Sequence, residues 1–202
     1  MIRTRIRRLK EMEREIPFEK ACERVSAFRR TYSERFSQEM EKKRRMYAGL
    51  LLEELLAEEG FSGPYIYEKG IHGKPYLREC PYCFSISHSG DFIASSISDR
   101  PVGVDIEQIG LHRIGRQERE KIAERFFDPV IASDPQIGEE QTFLRLWTRA
   151  ESYAKMRGVP LGRVFSEIGN ERGCSIRSME EDDYIAAVCS GDDPAEESGE
   201  KI

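Results

Sequence analysis

The chain has 202 residues, 39% hydrophobic and 34% charged, with a formal net charge of −5. That length holds one large domain or two small ones over a shared core, and that apolar share excludes a disordered chain. No apolar run reaches the ~20 residues of a membrane span and the N-terminus lacks an apolar leader core, so a cytoplasmic protein without membrane contact is expected.

Ile2, Thr4 and Ile6 alternate with arginines, which predicts a short opening strand. Residues 1–50 hold 15 Lys/Arg against 8 Asp/Glu. Such a basic stretch suits a polyanionic ligand or an acidic partner, and equally a set of solvated helix faces. Phe18 to Glu59 is nearly free of breakers. Over Gln38–Glu59, residues Met40, Tyr47, Leu51 and Leu55 recur at helical spacing, with Gly60 as the stop. Gly60 to Pro81 reads as loops with one or two short strands.

Phe84 to Ile97 predicts a hairpin turning at His88-Ser89-Gly90-Asp91, and Val102 to Glu107 a strictly alternating strand. Gln108–Arg116 is expected as a loop, Gln117–Phe127 as a charged helix, and Asp128–Gly138 as a second loop. Glu139–Arg157 predicts a helix with Phe143, Trp147, Ala150 and Ala154 on an apolar seam. Cys174–Met179 and Tyr184–Cys189 form a further hairpin around Glu180-Glu181-Asp182-Asp183. Residues 171–202 hold 3 Lys/Arg against 10 Asp/Glu, and 191–202 are expected to be a disordered acidic tail.

Helix then hairpin, twice over, predicts an α+β fold. The boundary falls near Asp99–Pro101, giving halves 1–99 and 100–190, although no sequence repeat relates them. The cysteines are Cys22, Cys80, Cys83, Cys174 and Cys189, an odd set expected to be reduced. Cys80-Pro81-Tyr82-Cys83 has a redox spacing, yet it runs into a strand pattern rather than opening a helix, and no second pair completes a zinc site.

The chemistry concentrates in two segments. On a strand of period two, Asp105 and Glu107 share one face. Paired carboxylates repel, so either solvent or a cation must offset them. Mg²⁺ prefers oxygen ligands and takes one or two protein carboxylates plus substrate phosphates. In the 139–157 helix, Glu151 and Lys155 stand at i,i+4, with Trp147 one turn earlier. An ordinary surface pair beside a core tryptophan is one reading of that spacing; a metal-phosphate site is the other.

Four blocks occur in order: Gly73-Lys74-Pro75, Phe84-Ser85-Ile86-Ser87-His88-Ser89, Gly103-Val104-Asp105-Ile106-Glu107, and Trp147-Thr148-Arg149-Ala150-Glu151-Ser152-Tyr153-Ala154-Lys155. Together they resemble the surfactin-type (Sfp-type) group of 4′-phosphopantetheinyl transferases, from about Arg45 to Lys155. The resemblance implies two similar α/β halves packed as a pseudo-dimer with the active site in the cleft between them. It implies transfer of 4′-phosphopantetheine from coenzyme A to a serine of an apo acyl or peptidyl carrier protein, releasing 3′,5′-ADP. Asp105, Glu107 and Glu151 would hold Mg²⁺, Glu151 would take the serine proton, and Lys155 would support the phosphates. His88 and Arg45, with Arg29, would contact the 3′-phosphate. Gly73, Lys74 and Pro75 would line the adenine and phosphate side, and Ser87 and Ser89 would shape the His88 loop. A monomer that binds no nucleic acid is the corresponding expectation.

Two positions depart from the family pattern. Ala150 stands where the family has lysine directly before the glutamate, and Ile131 where an acid is frequent. Arg149 is expected to reach round in place of that lysine; alternatively Ala150 packs in the apolar seam. The competing functions are a coenzyme A- or carrier-binding homologue with impaired turnover and a metal-dependent nuclease. The nuclease expects a tight acid-x-lysine spacing on a strand.

Overall fold

The computed structural model describes residues 1–70, 72–111 and 114–192. The alternating N-terminal residues form β1 (Ile2–Arg8), followed by α1 (Leu9–Glu15), α2 (Phe18–Arg24), α3 (Ala27–Glu34) and α4 (Glu39–Glu58). A small hairpin, β2 (Ile66–Lys69) with β3 (Pro75–Arg78), precedes β4 (Cys83–Ser89) and β5 (Phe92–Ser98). β5 pairs antiparallel with both β1 and β4, giving the order β1-β5-β4.

The second half repeats that logic. β6 (Val102–Gln108) leads into α5 (Arg116–Phe126), α6 (Pro129–Ala132) and α7 (Glu140–Arg157), and then into the hairpin of β7 (Cys174–Glu181) and β8 (Tyr184–Gly191). The sheet order is β6-β8-β7. In each half the opening strand is antiparallel to the last strand, with the middle strand outside it. The mixed α/β architecture is as expected, and the common order is structural, since the sequence contains no repeat.

Long helices cover the sheets because their apolar faces need partners. The middle of α4 is buried all round, from Met46 through Leu52, being enclosed by sheet on one side and by short helices on the other. Met40 stands outside that seam and is exposed. α7 buries Phe143, Leu144, Ala150, Tyr153 and Ala154 and ends at Gly158, whose φ of 65° suits a residue without Cβ. No helix among the described residues is long and apolar enough to cross a membrane.

Three expectations are corrected. The hairpin turn is only Gly90-Asp91, because Ser89 pairs with Phe92 and His88 with Ile93. His88 is therefore a strand residue, and Gly90 supplies the positive φ of 56° that a two-residue turn needs. The predicted 128–138 loop contains α6, where Asp128 caps the Val130 N–H ahead of a Pro at the first helical position. β8 continues to Gly191, the first residue of the segment expected to be a tail, while 193–202 lie outside the described residues. No disulfide joins the cysteines among the described residues, and Cys83 opens β4 on the surface.

Candidate active site

Period-two alternation on β6 sends Val104 and Ile106 into an apolar cluster and turns Asp105 and Glu107 the other way. α7 crosses this strand at very short range. A Cβ on Gly103 would strike the backbone of Ser152, Lys155 and Met156, so only glycine permits the approach. The result is a carboxylate cluster in which Asp105, Glu107 and Glu151 each offer an oxygen, all within 4.8 Å of one another.

Lys155 closes the cluster. Its Nζ donates to Asp105 Oδ1 at 2.6 Å and to Ser87 Oγ at 3.0 Å, and lies 3.4 Å from Glu151 Oε2. Trp147 Nε1 donates to Glu151 Oε1 at 3.0 Å, while its ring packs on Phe143 and Phe165. Asp105 is 2% exposed, and its Oδ2 is buried with no hydrogen-bond partner among the described residues. Burial raises the Asp105 pKa; Lys155 opposes that rise, and the charges of Glu151 and Glu107 add to it. Burial alone would lower Lys155, but Asp105 and Glu151 outweigh it and hold the ammonium charged. A buried orphan oxygen inside three hard carboxylates fits a divalent cation such as Mg²⁺.

The same cluster lines a cavity of about 800 Å³. Arg29, Arg45 and His88 line it as well. Arg29 is buried at 7% exposure, runs over Gly49, and lays its guanidinium on the Tyr67 ring at 4.5 Å. Its Nε and Nη2 have no hydrogen-bond partner among the described residues. Arg45 sits over the Phe36 ring at 3.8 Å, with Nη2 3.4 Å from Glu41 Oε2. Burial lowers the His88 pKa; Glu41 opposes this, and Arg45, Arg44 and Lys155 reinforce it. Glu41 is a carboxylate shared by Arg44 and Arg45 beside this imidazole.

Gly73, Lys74 and Pro75 line the cavity from the β2–β3 hairpin. Gly73 has a φ of 84°, which the tight loop requires. Lys74 Nζ donates to the carbonyls of Val102 at 3.0 Å and Met156 at 3.1 Å, so its charge ties the hairpin to the second half. Ser89 also differs from expectation, lying on β4 rather than in the turn. Ser87 and Ser89 donate to Asp105 Oδ1 at 2.8 Å and Glu107 Oε2 at 2.6 Å.

Arg149 does not reach the cavity. It forms a two-pronged bond with Glu171, Nε to Oε1 at 2.5 Å and Nη2 to Oε2 at 2.7 Å. Ala150 is fully buried in the α7 core, so the alternative of a packed alanine is the one observed. Glu151 and Lys155 share a helix, unlike the strand spacing of the nuclease reading. Sequence reasoning passed over Glu41, Phe28, Tyr32 and Tyr67. Glu41 was detectable from its i,i+3 and i,i+4 spacing to Arg44 and Arg45, whereas the aromatic wall depends on α3 meeting β2.

A family profile described as the 4′-phosphopantetheinyl transferase superfamily matches residues 101–200, which contain the three carboxylates and Lys155. A 4′-phosphopantetheinyl transferase of Bacillus subtilis is 33% identical over 190 residues, covering 82% of this chain and 82% of that one. The 4′-phosphopantetheinyl transferase psf-1 of Bacillus pumilus is 31% identical over 153 residues, 74% of this chain and 62% of its own length. AcpT of Escherichia coli K12 is 31% identical over 127 residues, 60% of this chain and 64% of its own. The last two alignments thus span less than two thirds of those relatives. With the matched segment carrying the whole carboxylate cluster and the Bacillus subtilis alignment running through both halves, the chain belongs to the 4′-phosphopantetheinyl transferase superfamily.

Proposed function

We propose that this protein transfers 4′-phosphopantetheine from coenzyme A to a serine hydroxyl of an apo acyl or peptidyl carrier protein, releasing 3′,5′-ADP. The observation that carries the reading is one cavity lined both by three clustered carboxylates with a lysine and by Arg29, Arg45 and His88. A nucleotide with a pyrophosphate and a separate phosphate offers a partner to each group. The two halves, with their common strand order, act as a pseudo-dimer with this cavity between them, within one cytoplasmic monomer.

In the reaction the serine oxygen attacks the β-phosphorus, and the bond to the bridging oxygen of the ADP portion breaks. Asp105, Glu107 and Glu151 hold Mg²⁺, which supplies charge neutralisation at the pyrophosphate when bound. Glu151 takes the serine proton, with one oxygen fixed by the Trp147 N–H. Lys155 keeps its proton between two acids and stands ready for the phosphate oxygens. Arg29, Arg45 and His88 hold the 3′-phosphate; the unpartnered Arg29 nitrogens gain their missing acceptors there.

Mass spectrometry of an apo-carrier protein after incubation with coenzyme A, Mg²⁺ and this protein tests the reading. The expected result is a carrier heavier by one phosphopantetheine, and an unmodified carrier overturns it. A second reading has one specific support. Ala150 is buried and Arg149 is engaged by Glu171, so neither provides the cation that the family places before Glu151. A protein that binds coenzyme A and leaves the carrier unmodified is the outcome for that reading.

A further inference from the structure

β4 belongs to the first sheet and β6 to the second, and no backbone ladder joins them among the described residues. They are joined by hydroxyls. Ser85, Ser87 and Ser89 follow the period-two rule on β4 and all three are buried against β6. Ser85 Oγ accepts from the Val104 N–H at 3.0 Å, and Ser89 Oγ from the Gln108 N–H at 3.1 Å.

Resting on the metal-centre reading above, we propose that Ser87 and Ser89 are positioning residues for the ligands Asp105 and Glu107. A hydroxyl has one proton to give. Ser89 already accepts from Gln108, and its proton goes to Glu107 Oε2 at 2.6 Å. Ser87 accepts from Lys155 Nζ at 3.0 Å and gives its proton to Asp105 Oδ1 at 2.8 Å. Each proton is thereby committed to a carboxylate, and each carboxylate loses rotational freedom about its last bond. Oδ1 of Asp105 receives two donors, which leaves Oδ2 as the oxygen directed to a cation. The ligands come from the second half while their orientation comes from the first, so the centre is complete only when both halves are docked.

The third rung separates this role from seam packing. Ser85 is as buried as its neighbours and bonds β6, yet makes no hydrogen bond to a carboxylate among the described residues. Mn²⁺ binding to the full chain, followed by electron paramagnetic resonance without nucleotide, is measured for Ser85→Ala, Ser87→Ala and Ser89→Ala beside metal-free melting temperatures. Ser87→Ala and Ser89→Ala are expected to weaken Mn²⁺ binding by ~10-fold or more. Ser85→Ala is expected to melt lower and keep the wild-type Mn²⁺ affinity. Equal loss in all three variants, or wild-type affinity in Ser87→Ala and Ser89→Ala, overturns the proposal while the metal centre stands. Wild-type protein that takes up no Mn²⁺ overturns the metal centre itself, and the positioning role with it.

Discussion

Gly103 on β6 lies directly beneath the carbonyl oxygen of Ser152 on α7, at a separation that leaves no room for a Cβ. This contact sets how far Glu151 and Lys155 stand from Asp105. Gly103→Ala must push the helix off the strand, because the obstructing atoms are backbone and cannot rotate away. The expected cost is about 3 kcal/mol, the upper end for overpacking, with a larger relative loss of divalent-cation affinity. Denaturant unfolding together with Mn²⁺ titration measures both. A variant of wild-type stability would show that α7 is free to move.

Removing a carboxylate from the cluster tests its cation directly. Asp105→Asn and Glu151→Gln are expected to lower kcat/KM by several orders of magnitude, since a metal's charge stabilisation is worth several kcal/mol. Mg²⁺ is also expected to raise the melting temperature of the wild type by mass action, and not that of Asp105→Asn. Burial lifts the Asp105 pKa, so protons compete with the cation. The Mg²⁺-induced shift in melting temperature should therefore grow as pH rises through that raised value. Full turnover in excess EDTA would remove the metal from the mechanism.

Arg149 and Ala150 are expected to govern stability rather than coenzyme A binding. Arg149→Ala strips both prongs from the nearly buried Glu171 and should cost about 1.5–3 kcal/mol. Burial pushes Glu171 up, but the bonds from Arg149 pull its pKa below the usual range. A depressed carboxylate contributes stability above its unfolded pKa of about 4.3, and loses it as pH falls through the lower folded value. The wild type should thus exceed Arg149→Ala at neutral pH and converge with it in acid. Ala150→Lys would place an ammonium in the α7 core, at about 3 kcal/mol or more. A raised KM for coenzyme A in an otherwise stable Arg149→Ala protein would contradict this.

His88 couples anion binding to protons. Burial keeps its pKa below the ordinary 6.5 in the free protein, and an arriving phosphate raises it. Binding of 3′,5′-ADP should therefore take up a proton and strengthen as pH falls towards the His88 value. His88→Gln should flatten that slope in calorimetry run in two buffers. Arg45→Ala should weaken binding by about 1.5–3 kcal/mol, the range for a charge-assisted hydrogen bond. Adenosine 5′-phosphate, which lacks the 3′-phosphate, should bind the wild type and both variants alike.

Much of the carboxylate cluster was legible because it follows from local periodicity. A period of two put Asp105 and Glu107 together on β6, and i,i+4 put Glu151 beside Lys155 on α7. The hairpins and long helices followed from the same patterns. What local pattern cannot encode is which edge meets which. The bonds from Ser87 to Asp105 and from Ser89 to Glu107 each span 18 positions and cross a seam between sheets. Arg149 was expected in the cavity, but a side chain's direction depends on its partner, and Glu171 lies in the irregular stretch before β7. His88 was misplaced by one turn definition: a tighter Gly90-Asp91 turn lengthens β4 and carries the imidazole onto a rigid strand.

Lys74 gives the cavity a timetable. Its ammonium donates to carbonyls 28 and 82 residues further along the chain, at Val102 and Met156. Synthesis runs from the N-terminus, so the β1-β5-β4 sheet can assemble once Ser98 is free, long before Met156 exists. Until then the tie from Lys74 to the Met156 carbonyl is missing. That tie forms when α7 docks, which is the same event that brings Glu151 and Lys155 to Asp105. A nascent chain accordingly acquires this tie and its carboxylate cluster together.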